Sequence, residues 1–95
     1  MSAADNSGNS GHLKKGAACI AAATPQTANA LSVTATGTAP GTTSAGPKTI
    51  SASAQTVAGG TLADTLTLSY SLLVGSAERL VVGCVYSTTL TYTVQ

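Results

Sequence analysis

Residues 84–95 (CVYSTTLTYTVQ) alternate strictly between two sets of side chains. Tyr86, Thr88, Leu90, Tyr92 and Val94 form one set, and Val85, Ser87, Thr89, Thr91 and Thr93 form the other. Successive side chains of an extended strand project to opposite faces, so the segment reads as a strand with an apolar face backed by a threonine ladder. Such a strand leaves its backbone donors and acceptors unsatisfied unless a neighbour pairs with it. That neighbour comes from the same fold or from another chain. A chain organised around this segment is expected to be β-rich.

Composition narrows the expectation. Alanine, serine and threonine supply nearly half of the 95 residues, while Trp and Phe are absent and only three Tyr are present. Core-forming side chains are therefore few. At about 25 cal/mol per Å² of apolar surface, an alanine-rich core contributes little in a domain this small. Small scaffolds of this kind rely on a disulfide, a metal or a partner chain. The expectation is stabilisation by other copies of the same chain. Net charge is +1, from Lys14, Lys15, Lys48 and Arg79 against Asp5, Asp64 and Glu78. No basic field or aromatic platform is present to favour nucleic acid. Low charge also leaves little repulsion between copies. No apolar run is long enough to cross a membrane as a helix. The opening residues lack the apolar stretch of a secretory signal. Either such a signal has been removed, or the protein assembles without export. The hydroxyl-rich surface and scarcity of charge favour an extracellular or cell-surface destination, with a virion as the alternative.

Residues 1–16 (MSAADNSGNSGHLKKG) read as a flexible Gly/Ser/Asn leader, and residues 17–95 as the folded domain. Residues 17–23 (AACIAAA) are a short strand candidate of mixed propensity. Residues 31–36 alternate, residues 37–47 carry the Gly and Pro of a loop, and residues 48–57 alternate with Ile50, Ala52 and Ala54 on one face. Ala58-Gly59-Gly60 reads as a turn. The longest strand candidate spans residues 61–74, with Leu62, Leu66, Leu68, Tyr70, Leu72 and Val74 on one face and Asp64 interrupting it. Residues 75–79 break that strand as a single helical turn, and residues 80–82 lead through Gly83 into the final strand. Five or six short strands with polar turns predict an all-β chain. The expected form is a small antiparallel β-sandwich, immunoglobulin-like or jelly-roll-like, with an extended N-terminal leader.

Candidate chemistry is sparse. Cys19 and Cys84 are the only cysteines. They could pair within the chain, pair between chains, or remain as free thiols. No Cys/His cluster suggests zinc, and no cofactor-binding motif is present. His12 is the only histidine; lying among Gly, Ser and Lys, it reads as a solvated linker residue. Lys48, Asp64 and Glu78 are the one trio that could form a Lys–Asp isopeptide bond with a proton-shuttling carboxylate. Each also suits an ordinary surface position. Thr-x-Thr repeats at Thr34/Thr36/Thr38, Thr65/Thr67 and Thr89/Thr91/Thr93 lack the fixed period of an ice-binding grid. All three tyrosines are expected on inward faces. With three acidic residues and one histidine, the chain is expected not to be an enzyme.

The segment Gly83-Cys84-Val85-Tyr86-Ser87-Thr88-Thr89-Leu90-Thr91-Tyr92-Thr93-Val94 resembles the closing strands of bacterial fimbrial and pilus-type β-sandwich subunits. Those subunits often end in a Gly-x-Tyr turn followed by an alternating Thr/Val/Tyr strand. Here Cys84 and Val85 separate Gly83 from Tyr86. The resemblance implies a homopolymer built by strand or leader exchange between copies, with Ile20, Tyr86, Leu90, Tyr92 and Val94 as candidate assembly residues. The expected function is a structural subunit of an extracellular filament. The alternatives are a viral or phage structural protein, such as a capsid decoration or tail subunit, and a small carbohydrate- or ice-binding module.

Overall fold

The computed structural model describes residues 1–17, 19, 25–60, 65–75 and 83–94. In chain order the strands are β1 (Ser2–Ala4), β2 (Lys14–Lys15), β3 (Ser32–Gly37), β4 (Thr42–Ser44) and β5 (Lys48–Thr49). They continue with β6 (Gln55–Thr56), β7 (Ala58–Gly60), β8 (Leu66–Ser71), β9 (Tyr86–Ser87) and β10 (Thr91–Thr93). Every pairing is antiparallel, and no helix occurs among the described residues. The architecture is a small all-β sandwich. One three-stranded sheet has the order β10-β1-β6 and the other β5-β3-β8, with two-stranded ladders β2-β9 and β4-β7 beside them.

The core lies between the two larger sheets. Ala3 from β1 meets Val33 and Ala35 from β3, together with Ile50, Val57 and Ala58. Met1, Leu66, Leu68, Leu90 and Tyr92 pack around this cluster. Alternation in β3 explains the geometry: Val33 and Ala35 are fully buried while Thr36 faces solvent. Half of the six side chains in this cluster are alanine, so the apolar layer is small in volume. The molecule is elongated, 48 × 23 × 18 Å. Its radius of gyration is 15.1 Å, against about 12 Å for a compact chain of this length.

Residues 1–16 are not the flexible leader that their composition suggests. β1 is the central strand of its sheet, with Ser2 opposite both Thr93 and Thr56. Its small side chains suit a strand enclosed on both edges and, at Ala3 and Ala4, on both faces. β2 pairs with β9, Lys14 opposite Ser87 and Lys15 opposite Tyr86. Gly11 explains part of the leader's glycine content. It is buried with φ of +85°, and a Cβ there would run into the Ile50 carbonyl. His12 is half-buried, its Nδ1 2.7 Å from the Thr27 carbonyl, rather than a solvated linker residue.

Other boundaries shift for local reasons. The Gly/Pro-rich stretch 37–47 holds β4, which pairs with β7, and β7 is the Ala58-Gly59-Gly60 segment expected to turn. Gly60, at φ of +81°, lies so close to the Gly41 backbone that no side chain fits. The expected strand 48–57 breaks into β5 and β6. Ile50 and Val57 are buried, whereas Ala52 and Ala54 are exposed in the turn between them. The final strand keeps its alternation but divides into β9 and β10, which join different sheets. Ile20, Asp64, Glu78 and most of the expected elements at 17–23, 61–64, 76–79 and 80–82 lie outside the described residues.

Cys19 and Cys84 form an intrachain disulfide, with Cα atoms 5.6 Å apart and a sequence separation of 65. It lies beside the β2-β9 ladder, where the Gly16 amide donates to the Val85 carbonyl at 2.9 Å. A disulfide fits an oxidising environment. Closing a loop this long stabilises the fold by about 4 kcal/mol in the chain-entropy account.

Candidate apolar groove

Between the two sheets opens a groove of about 410 Å³, lined by Leu13, Leu31, Tyr70, Ser87, Thr88, Leu90 and Tyr92. Each wall is set by a backbone arrangement. Leu13 is held by Thr27: the Leu13 amide donates to Thr27 Oγ1 at 3.1 Å, and the Thr27 amide donates back to the Leu13 carbonyl at 2.9 Å. Thr27 is buried, and its hydroxyl donates onward to the Asn29 carbonyl at 2.8 Å. Leu31 is fixed between two loops. Its amide donates to the Gly11 carbonyl and its carbonyl accepts from the Ile50 amide, both at 2.9 Å.

Asp5 anchors the third wall. It has no solvent-exposed surface, and the backbone at Gly11 donates to its Oδ2 at 2.9 Å. Thr88 Oγ1 donates to the same oxygen at 2.5 Å. Oδ1 accepts from the Ser7 amide at 2.9 Å and from the Ser7 hydroxyl. Burial pushes this carboxyl up, but the four donors outweigh it and hold it at about 2, below its ordinary 3.8. The anionic form is therefore the folded form at neutral pH. Asn9 Nδ2 donates to Thr88 Oγ1 at 3.2 Å, completing a polar staple between the 5–11 loop and the C-terminal segment. The staple falls between β9 and β10, where the chain passes from one sheet to the next.

The rim is a phenol pair. The hydroxyls of Tyr70 and Tyr92 lie 2.5 Å apart and link β8 to β10 across the groove. Burial, then the Tyr70 hydrogen bond, then like charge push Tyr92 well above the ordinary phenol value. Tyr92 is half-buried, but Tyr70 is 49% exposed, against the expectation that all three tyrosines face inward.

Of the assembly residues read from the sequence, Leu90 and Tyr92 meet in this groove. Tyr86 is half-buried opposite Lys15, and Val94 is 66% exposed beyond β10. Lys48 lies on β5 opposite Val33. Leu13, Leu31 and Tyr70 join the groove without any sequence signal that relates them. Thr27 holds Leu13, the Gly11 and Ile50 backbones hold Leu31, and pairing with Val33 in β3 places Tyr70.

No protein-family model, curated protein or solved structure matches this chain. Among the described residues, no helix is long and apolar enough to cross a membrane.

Proposed function

We propose that this protein is a structural subunit that associates with copies of itself, in an extracellular pilus-like filament or surface appendage. The observation carrying this reading is the open apolar groove; among the described residues the outer edges of β8 and β10 are also unpaired, and several aliphatic side chains are exposed. Leu73 is 73% exposed, Val85 68% and Val94 66%. The accessible surface is 5635 Å², against about 4,900 Å² for a folded chain of this size. Burial of such surface between subunits supplies the apolar contact that a thin core lacks. The disulfide suits the oxidising surroundings of an exported assembly.

Sedimentation velocity over a concentration series, with negative-stain electron microscopy of the same samples, tests the reading. Concentration-dependent growth into uniform filaments is expected. A monomer at every concentration refutes self-association, and closed rings redirect the reading to a virion component.

One observation favours a second reading as a small carbohydrate-binding module. Tyr70 and Tyr92 flank a groove that also carries the Ser87 and Thr88 hydroxyls. Apolar ring faces beside hydroxyl partners suit a sugar. Binding on a glycan array that Tyr70→Ala abolishes would favour it over the subunit reading.

A further inference from the structure

We propose that β8 is a self-pairing edge, joining two copies antiparallel with Ser69 opposite Ser69 of the second copy. The pairing rests on the self-association proposed above and names the surface that makes it. Among the described residues the backbone of β8 pairs only with β3, leaving its other edge open. It is also the longest open edge: β10 has three residues, and β5 and β6 have two each.

Backbone parity identifies which groups face outward. The N–H and C=O of one strand residue point to the same edge, and consecutive residues alternate. The Leu31 carbonyl accepts from the Ile50 amide, on the β5 side of β3. Val33 therefore also faces β5, while Ser32, Thr34 and Thr36 face β8. Their partners are Ser71, Ser69 and Thr67, whose backbone groups are used within the sheet. Leu66, Leu68 and Tyr70 send theirs to the open edge.

The side-chain pattern is its own complement. Leu66-Thr67-Leu68-Ser69-Tyr70-Ser71-Leu72 reads with the same apolar and hydroxyl order in both directions. A two-fold axis at Ser69 sets Leu68 opposite Tyr70, Leu66 opposite Leu72 and Thr67 opposite Ser71. Leu68 and Tyr70 are the residues whose backbone groups are free to bond, so the ladder and side-chain matching agree. No Lys, Glu, Asp, Arg or Pro lies between Thr65 and Gly75. Those are the residues by which exposed edges commonly block such pairing. Leu73 and Val74, exposed just beyond the strand, extend the apolar contact. The product is a continuous six-stranded sheet, β5-β3-β8-β8-β3-β5. An isologous contact closes at a dimer, so a filament needs a second contact elsewhere, such as the groove.

Charge exchange at the axis tests this. Ser69 is exposed on the outer face of the sheet, so a longer polar side chain there leaves the core untouched. The variants S69K and S69E are compared with the native protein by sedimentation equilibrium, alone and as an equimolar mixture, with circular dichroism as the check on folding. Like charges directly opposite should weaken each variant's self-association by about tenfold or more, and the mixture should restore it. If the native protein associates and each variant does so equally well, the β8 pairing is overturned while self-association stands. Weakening that mixing fails to restore overturns it as well. A native protein that stays monomeric overturns self-association itself, and the pairing with it. If either variant loses its β-sheet spectrum, T67K/S71E provides the same decision. That double variant keeps opposite charges facing across the axis and should associate, whereas T67K/S71K should not.

Discussion

Asp5 is the residue on which the N-terminal third of the fold turns. A buried carboxylate is stable only when donors replace the water it has lost, and here two amides and two hydroxyls do so. Its folded value is depressed to about 2 from 3.8. The stabilisation it contributes is therefore full above about pH 4 and is lost as pH falls through 2, with a total of about 2 kcal/mol. Asp5→Asn keeps the shape but sets an amide N–H₂ against one pair of donors. We expect a loss of about 2 to 3 kcal/mol at pH 7. We also expect the difference in urea midpoint between native and variant proteins to narrow from pH 4 to pH 2. A constant difference across that window would show that the charge of Asp5 contributes nothing. None of this was legible in the sequence. Asp5-Asn6-Ser7-Gly8-Asn9-Ser10-Gly11 has the composition of a linker, and the hydroxyl that completes the cluster, Thr88, lies 83 residues from Asp5.

At the scale of elements, the sequence was legible where a face is buried and misleading where backbone geometry decides. In residues 84–93 the alternation survives: Cys84, Tyr86, Thr88, Leu90 and Tyr92 are half-buried and Val85, Ser87, Thr89, Thr91 and Thr93 are exposed, but it ends at Val94, which is exposed. β3 follows its pattern for the same reason, and β8 does so at Leu66 and Leu68 but not at Tyr70, which is exposed. β4 and β7 carried no such signal. They are built of Gly, Ala, Ser and Thr, and they pair where Gly60 permits close approach to Gly41, with Ala58 the one buried side chain of the two strands. The intrachain disulfide could not be chosen from the sequence, since spacing alone does not fix pairing. It ties Cys19 to the start of the C-terminal segment and so restrains the β2-β9 ladder, which has only two residue pairs. Cys19→Ser/Cys84→Ser should lower stability by about 2 to 5 kcal/mol. Guanidinium denaturation followed by circular dichroism, with and without reductant on the native protein, checks this. Equal midpoints in all three samples would assign the disulfide no part in stability.

For the whole molecule, the balance between charge and apolar surface decides how copies should meet. Net charge is +1 and only 7% of residues are charged, so long-range attraction between subunits has almost no source. The exposed groups at hand are instead the open β8 edge, Leu73, Val74, Val85 and Val94. Contacts of that kind strengthen when water is made a poorer solvent and are indifferent to screening. Self-association measured by sedimentation should therefore change by less than about threefold between low salt and 0.5 M sodium chloride. It should tighten in sodium sulfate at equal ionic strength, because sulfate is excluded from apolar surface. A steep weakening in sodium chloride would point to ion pairs through Lys14, Lys15, Lys48 or Arg79. It would remove both the groove and the β8 edge as the principal contacts. Insensitivity to chloride together with strengthening in sulfate would mean that the thin core and the association share one cause. On that outcome, a chain with few large side chains would leave part of its apolar burial to be completed between molecules.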